Sequence, residues 1–263
     1  MSFARINDVL LHYRLAGPVD APALVFVNSL GTDARIWDDV IERFSDRYRV
    51  LSYDKRGHGL SDTPDGDYSL SDHIEDLTGL LDHLGFNTFF LAGVSVGGLI
   101  VQGMALHHPE KLRGIVLCNT APRMGDAAMW ASRMESVRNH GMASIADAVM
   151  DRWFSVDFRA GYPDALAGWR NLFLRSDAKG YASTCATLRD TDLTDAIADI
   201  ALPTLIVAGE ADLAAPVELV RNCMRIAGAR FEILPATGHI PSIEQPERLS
   251  ALMSSFFKEA VHG

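Results

Sequence analysis

The sequence predicts an α/β fold: an eight-stranded, mostly parallel sheet with flanking helices and an inserted helical cap. Three observations support this prediction. Short, continuous apolar runs alternate with longer segments of helical period, which is typical of a parallel sheet covered on both faces. Residues 1–16 have the pattern of an antiparallel hairpin. The interval from Pro122 to about Asp199 contains no strand-like run.

The predicted strands are of two kinds. Phe3–Ile6 and Val9–Ala16 flank an Asn7-Asp8 turn, which indicates a hairpin at the edge of the sheet. The other runs are continuously apolar, so the strands that they predict are buried on both faces. These runs are Ala23–Val27, Tyr48–Ser52, Thr88–Ala92, Gly114–Cys118, Thr204–Ala208 and Arg230–Leu234.

Helices are predicted between these runs. One covers Ser71–Leu84, and a last helix begins at Pro246, since proline is favoured in the first turn. Residues able to cap the first of these helices are Ser69, Ser71 and Asp72, and its apolar stripe consists of Ile74, Leu77, Leu81 and Leu84.

The strand-free interval is too long for a simple crossover between two strands. It contains Trp130, Trp153 and Trp169 together with several amphipathic stretches. We therefore predict a helical cap of residues 123–199, inserted into a core formed by residues 1–122 and 200–263.

The charge balance limits the partners of the chain. Its 263 residues carry a net charge of −10, which argues against nucleic acid or an anionic membrane as a partner. The same negative field repels small anions, so an anionic substrate requires arginines close to it. We expect a small-molecule partner, and the sequence predicts no oligomeric state.

The cysteines indicate a reducing environment. Cys118, Cys185 and Cys223 are scattered, form no CxxC pair and have no histidine at metal-ligand spacing. We expect buried thiols, with no metal and no other cofactor. The first residues lack an apolar signal segment, and no run of about 18 apolar residues predicts a membrane span. The predicted location is therefore cytoplasmic.

One motif carries a nucleophile. Gly93-Val94-Ser95-Val96-Gly97 lies between the run Thr88–Ala92 and the helical stretch Leu99–His108. The chain must turn so sharply there that side chains two residues either side of Ser95 would collide with the neighbouring strand and helix. The motif in this context resembles the nucleophile turn of α/β-hydrolases, which implies that Ser95 is the nucleophile.

A serine hydroxyl needs a base, and position selects among nine histidines. His239 follows the last predicted strand, in a loop at the carboxyl end of the sheet. His58 is the main alternative, but it precedes Ser95, contrary to the Ser-acid-His order of this fold. We therefore predict that His239 is the base and that His58 has a structural role.

The third triad member should be a carboxylate that orients His239. Asp212 follows the run Thr204–Ala208, and Glu210 is the alternative. The turn at residues 119–121 offers no acid. We predict Asp212, because the shorter side chain matches the G-x-x-D pattern of the family.

An oxyanion hole needs two backbone donors. The residue after the nucleophile, Val96, supplies one N–H group. The loop after Ala23–Val27 supplies the other, and its alignment with the His-Gly-x segment of relatives selects the Leu30 N–H. Ser29 stands where many relatives have glycine, and its hydroxyl or the Asn28 amide is expected to contact substrate.

Several further segments are distributed over nearly the whole chain: Asn28–Thr32, Asp54–Gly59, Trp153-Phe154, Gly180–Ala182, Leu188–Leu193 and Ile243–Pro246. Their combination resembles the 3-oxoadipate enol-lactonases. The segments within the predicted cap discriminate best, because caps diverge most among α/β-hydrolases. The resemblance implies hydrolysis of an anionic enol lactone to 3-oxoadipate in the β-ketoadipate pathway of aromatic breakdown.

Such a substrate carries a carboxylate, so a cation should face it. Trp130, Arg133 and Val137 share one helical stripe, which places Arg133 on an apolar face. An arginine there needs an anion, either the substrate or a protein carboxylate. Trp130 and Trp153 either wall the pocket or belong to the cap core. Other cations considered for the carboxylate are Lys55, Arg56, Arg123 and Arg138.

The same triad suits other reactions. A related esterase, a carbon–carbon bond hydrolase and a cofactor-free perhydrolase are the alternatives, and the cap motifs argue against them. A haloalkane dehalogenase is disfavoured because Ser95 replaces the aspartate nucleophile. A non-catalytic receptor on this fold is disfavoured by the complete triad.

Overall fold

A computed structural model describes residues 2–262. Its centre is an eight-stranded sheet. The strands are β1 (Ser2–Ile6), β2 (Val9–Ala16), β3 (Ala23–Val27), β4 (Arg49–Tyr53), β5 (Phe89–Val94), β6 (Leu112–Cys118), β7 (Thr204–Gly209) and β8 (Arg230–Leu234).

The strand order in the sheet is β1-β2-β4-β3-β5-β6-β7-β8. Strand β2 is antiparallel to both of its neighbours, and all other neighbouring strands are parallel. The predicted fold class is confirmed, and the predicted strands differ from the observed ones by a few residues at their ends. The prediction that the strand Arg230–Leu234 is buried on both faces was wrong: β8 lies at the edge of the sheet and is only partly buried, with Ile233 39% exposed. The chain passes from β3 to β4 on one side and then to β5 on the other, which opens a crevice at their carboxyl ends.

Helices cover both faces of the sheet. They are α1 (Asp38–Glu42), α2 (Leu70–Leu84), α3 (Val96–His107), α4 (Ala127–His140), α5 (Ala146–Trp153), α6 (Val156–Gly161), α7 (Pro163–Leu174), α8 (Ala178–Asp190), α9 (Val217–Val220), α10 (Pro241–Glu244) and α11 (Pro246–His262).

Three predicted helix starts can be compared with the structure, and the last helix, α11, begins at Pro246 as predicted. Helix α2 begins one residue earlier than predicted, where Ser69 and Asp72 form a reciprocal capping box. Helix α3 begins directly after Ser95 rather than at Leu99. Its amino end therefore lies against the predicted nucleophile.

Helices α4–α8 lie between β6 and β7, inside the predicted cap of residues 123–199. The division of the chain into cap and core stays a prediction. Helix α8 packs so closely on the loop after β4 that a Cβ on Gly57 would lie 2.7 Å from the Gly180 Cα. Arg138 and Arg189 also pair with Asp67, across 2.6 and 3.2 Å. These contacts fix one side of the predicted cap to the loop after β4.

The three thiols are free and buried, as the sequence predicts for them, and burial raises the pKa of each to about 12. Within residues 2–262, no helix is long and apolar enough to cross a membrane.

Candidate active site

Ser95 occupies the turn between β5 and α3. Its backbone has φ 58° and ψ −121°, a conformation that is strained for any residue other than glycine. Three hydrogen bonds hold it there: the Ser95 N–H donates to the Cys118 carbonyl over 3.0 Å, and the Ser95 carbonyl accepts from the Thr120 hydroxyl over 2.8 Å and from the Leu99 N–H over 3.1 Å.

The glycines of the motif are required by space. A Cβ on Gly93 would overlap the Gly97 carbonyl carbon, and a Cβ on Gly97 would overlap the Val27 carbonyl oxygen. Strand, turn and helix therefore approach one another more closely than side chains would permit. This packing presents Ser95 at the carboxyl end of the sheet.

His239 and Asp212 form a buried pair, with 2.7 Å between His239 Nδ1 and Asp212 Oδ2. The other carboxylate oxygen accepts hydrogen bonds from the Ala214 and Ala215 N–H groups, at 2.7 and 2.9 Å. Asp212 is thus held in one orientation and accepts a hydrogen bond from the Nδ1–H group of His239. The imidazole Nε2 is left as the basic nitrogen.

Neither predicted alternative is placed to replace this pair. Glu210 is exposed and accepts from the Ala236 N–H group over 3.0 Å. His58 is buried, and its Nε2 accepts from the Gly31 N–H group over 3.0 Å. Burial, reinforced by the nearby charge of Lys55, lowers the pKa of His58 well below its usual value. His58 is therefore a neutral acceptor within the core.

A cavity of about 120 Å³ lies over Ser95. Within residues 2–262, no hydrogen bond joins the Ser95 hydroxyl to His239, although both side chains line this cavity; such contacts often tighten only when substrate binds. The other predicted site residues that line it are Ser29, Leu30, Trp130, Arg133 and Trp153.

The two predicted oxyanion donors lie on adjacent elements. Leu30 lines the cavity from the loop after β3. Val96 is the first residue of α3, so its N–H group has no helical carbonyl one turn earlier to bond. The Asn28 amide donates to the Ser29 and Thr32 carbonyls. Ser29 lines the cavity, but its hydroxyl oxygen is buried and has no hydrogen-bond partner among the described residues.

Arg133 faces this cavity without an acidic partner. Its guanidinium lies 5.6 Å from the Trp130 ring and 3.4 Å from the Tyr181 hydroxyl. Among the described residues, none supplies a carboxylate within 4.0 Å of it. The alternative of a structural ion pair thus finds no carboxylate partner for Arg133 within the described residues.

Comparison with known proteins places this site in a family. The model of the alpha/beta hydrolase family matches residues 24–252. The chain belongs to this alpha/beta hydrolase family. It is 36% identical over 256 residues to 3-oxoadipate enol-lactonase 2 of Acinetobacter baylyi, covering 96% of this chain and 94% of that one. The corresponding values for 3-oxoadipate enol-lactonase 1 of the same organism are 33% identity over 252 residues, 94% and 93%.

Among solved structures, the enol-lactonase from Burkholderia xenovorans LB400 superimposes with a TM-score of 0.95 and 37% identity. The comparison covers 98% of this chain and all of that one. The resemblance predicted from the sequence motifs is confirmed.

The hydrolase has a second arginine at its cavity that sequence reasoning missed. Arg152 lines the cavity together with Arg133. Burial, followed by repulsion from Arg133, lowers the pKa of Arg152. Its spacing of three residues from Val149, on the buried face of α5, was a signal that could have revealed it.

The other cations considered for substrate binding in this hydrolase bind protein groups. Arg123 pairs with Asp192, and Arg138 pairs with Asp67, both near the surface. Arg56 binds Asp72 and Asp76, and Lys55 donates to the Ser29 carbonyl.

Asn119 also escaped the sequence analysis. It is fully buried and has a positive φ of 47°. Its amide nitrogen donates to the Gly238 and His239 carbonyls, both at 2.9 Å, and its oxygen accepts from the Gly209 N–H group at 2.7 Å. One side chain in the hydrolase therefore ties the end of β7, which leads to Asp212, to the loop that carries His239.

Proposed function

We propose that the chain is a serine hydrolase that opens the ring of 3-oxoadipate enol-lactone to give 3-oxoadipate. This reaction belongs to the β-ketoadipate pathway of aromatic catabolism. The observation that supports the proposal best is the composition of one cavity: Ser95 and His239, backed by Asp212, share it with Arg133 and Arg152. The names of the relatives support the substrate.

In this mechanism, Ser95 Oγ attacks the lactone carbonyl carbon and gives its proton to His239 Nε2. Asp212 stabilises the imidazolium that forms. The Leu30 and Val96 N–H groups bind the oxyanion of the tetrahedral intermediate. When the intermediate collapses, the ring C–O bond breaks, and the departing enol oxygen takes the proton from His239.

The enol stays tethered to the acyl-enzyme and could close the ring again. Its conversion to the ketone removes this nucleophile. His239 then takes a proton from water, which attacks the acyl carbon and releases the second carboxylate of the product. Ser95 recovers its proton as the ester bond to the enzyme breaks.

Arg133 and Arg152 bind the carboxylate that the lactone already carries. An arginine forms strong charge-assisted hydrogen bonds with a carboxylate. Neither guanidinium is paired with an acidic residue in the described part of the chain, so both can bind the carboxylate of the substrate. Trp130 and Trp153 wall the cavity beside them. We also propose a cytoplasmic location, which the three free buried thiols support.

The test is the loss of enol-lactone absorbance with purified protein, alongside hydrolysis of p-nitrophenyl acetate. We expect rapid turnover of the lactone and its loss in Ser95→Ala, with folding unchanged by circular dichroism. Turnover of the aryl ester but not of the lactone would refute the substrate. Retention of lactonase activity by Ser95→Ala would refute the nucleophile.

A further inference from the structure

Lys55 is buried, with 1% of its surface exposed. Its Nζ donates a hydrogen bond to the Ser29 carbonyl oxygen over 2.6 Å. Among residues 2–262, the Ser29 carbonyl is the single hydrogen-bond partner of Nζ, and no carboxylate lies within 4.0 Å of Nζ. Burial lowers the pKa of Lys55, whereas the charges of Asp54 and Asp33 act in the opposite direction.

The position of this contact connects it with the active site. The Ser29 carbonyl and the Leu30 N–H group are the two ends of a single planar peptide group. A donor at the carbonyl oxygen draws electron density along the conjugated group and makes the N–H at the other end a stronger donor. An amine at Ser29 O therefore lies directly behind the predicted oxyanion donor.

Other contacts fix the orientation of this peptide group. The Thr32 hydroxyl and the Asn28 amide donate to the same Ser29 oxygen, at 2.9 and 3.3 Å. The following N–H group, of Gly31, donates to His58 Nε2 over 3.0 Å. Neutral donors thus already hold the loop, and Lys55 adds the one basic group among the donors to Ser29 O.

We infer that Lys55 is a positioning residue that strengthens the Leu30 N–H as an oxyanion donor, by hydrogen bonding to the carbonyl of the same peptide group. The inference rests on the oxyanion role in the proposed function but not on the identity of the lactone. Since the stronger N–H acts on charge that develops during the reaction, Lys55 contributes to kcat more than to substrate binding.

The test compares Lys55→Met with wild type for two ligands and two substrates. Butylboronic acid forms a tetrahedral adduct with a nucleophilic serine and places an oxygen in the oxyanion hole. Adipate resembles the product in length and lacks a group that can react. Both affinities are measured by calorimetry, and kcat and KM are measured for the enol lactone and for p-nitrophenyl acetate.

We expect Lys55→Met to lower kcat and butylboronic acid affinity about tenfold, because loss of a whole oxyanion donor costs about 10²–10³-fold. KM and adipate affinity should stay within about twofold, since neither depends on a tetrahedral oxygen. Thr32→Val is the matched control, because it removes a neutral donor from the same oxygen. Its effect on boronate affinity should be clearly smaller.

Unchanged boronate affinity in Lys55→Met would overturn the inference. Equal losses of boronate and adipate affinity, with a lower melting temperature, would also overturn it, since Lys55 would then only hold the fold. If Lys55→Met does not fold, Lys55→Gln must show the same selective loss. Wild-type turnover of the aryl ester without turnover of the lactone would refute the proposed substrate, while the boronate comparison would still test Lys55.

Discussion

Removing the two cavity arginines should separate substrate binding from stability. Arg133 and Arg152 lie in one cavity, and the charge of Arg133 contributes to the lowered pKa of Arg152. Neither has an acidic partner among the described residues. The folded protein therefore keeps two neighbouring positive charges together, a cost that a bound carboxylate offsets.

The structure sets the size of the effect. A hydrogen bond to a charged group is worth about 1.5–3 kcal/mol, so each of Arg133→Ala and Arg152→Ala should lower kcat/KM for the anionic lactone by about 10–150-fold. After one substitution, the remaining guanidinium can still reach the carboxylate. The free-energy loss in the double variant, calculated from kcat/KM for the lactone, should therefore exceed the sum of the losses in the two single variants.

The assay measures kcat/KM for the lactone and for a neutral ester of similar size, with the melting temperature of each variant. The neutral ester should be hydrolysed at nearly the wild-type rate. The melting temperature should stay equal or rise, because a repelled charge has been removed. Equal losses on the two substrates, with a lower melting temperature, would refute the role of these arginines in carboxylate binding.

Three further outcomes are expected. Asp212→Asn should lower kcat by up to about 10⁴-fold, because the amide favours the wrong tautomer of His239; a near-native rate together with an inactive Glu210→Gln would transfer the role to Glu210. Asn119→Leu leaves two buried carbonyls and one N–H group unpaired, so kcat should fall at least about tenfold under conditions where circular dichroism shows a folded protein; unchanged kcat would contradict the positioning role. Burial lowers the pKa of His73 to about 3. In the unfolded chain this imidazole has its ordinary pKa of about 6.5, so between pH 7 and pH 5 the unfolded state binds a proton at His73 that the folded state does not bind. The free energy of unfolding should therefore fall by about 2 kcal/mol over this pH range because of His73. Urea titrations at both pH values should show a smaller fall in His73→Phe, and equal falls would rule out this cause.

The sequence predicts the strands and the triad for a local reason. Continuous apolar runs mark strands, and Ser95, Asp212 and His239 each follow one of them. Because parallel strands end at one edge of the sheet, residues that follow those ends converge there. The buried pair of Asp212 and His239 could therefore be predicted from order along the chain and residue type.

Residues that act across loops could not be predicted in this way. Asn119 binds groups about 120 positions later in the chain, at Gly238 and His239. Lys55 binds a carbonyl 26 positions earlier. A repeat of apolar residues reveals which face of an element is buried, but not which loop lies against its end. Arg152 is a different case, because its position three residues after Val149 places it beside the buried face of α5, a local spacing that the sequence contains.

The junction between the cap and the His239 loop has a consequence for recombination among related hydrolases. The His239 N–H group donates to the Trp153 carbonyl over 2.7 Å, and Glu244 accepts from the Ser155 hydroxyl at 2.6 Å and from the Gly238 N–H group at 2.9 Å. A chimaera in which a foreign segment replaces residues 123–199 loses these hydrogen bonds unless the new segment supplies equivalents of the Trp153 carbonyl and the Ser155 hydroxyl. Exchanging residues 238–244 along with the graft should restore activity that the graft alone loses.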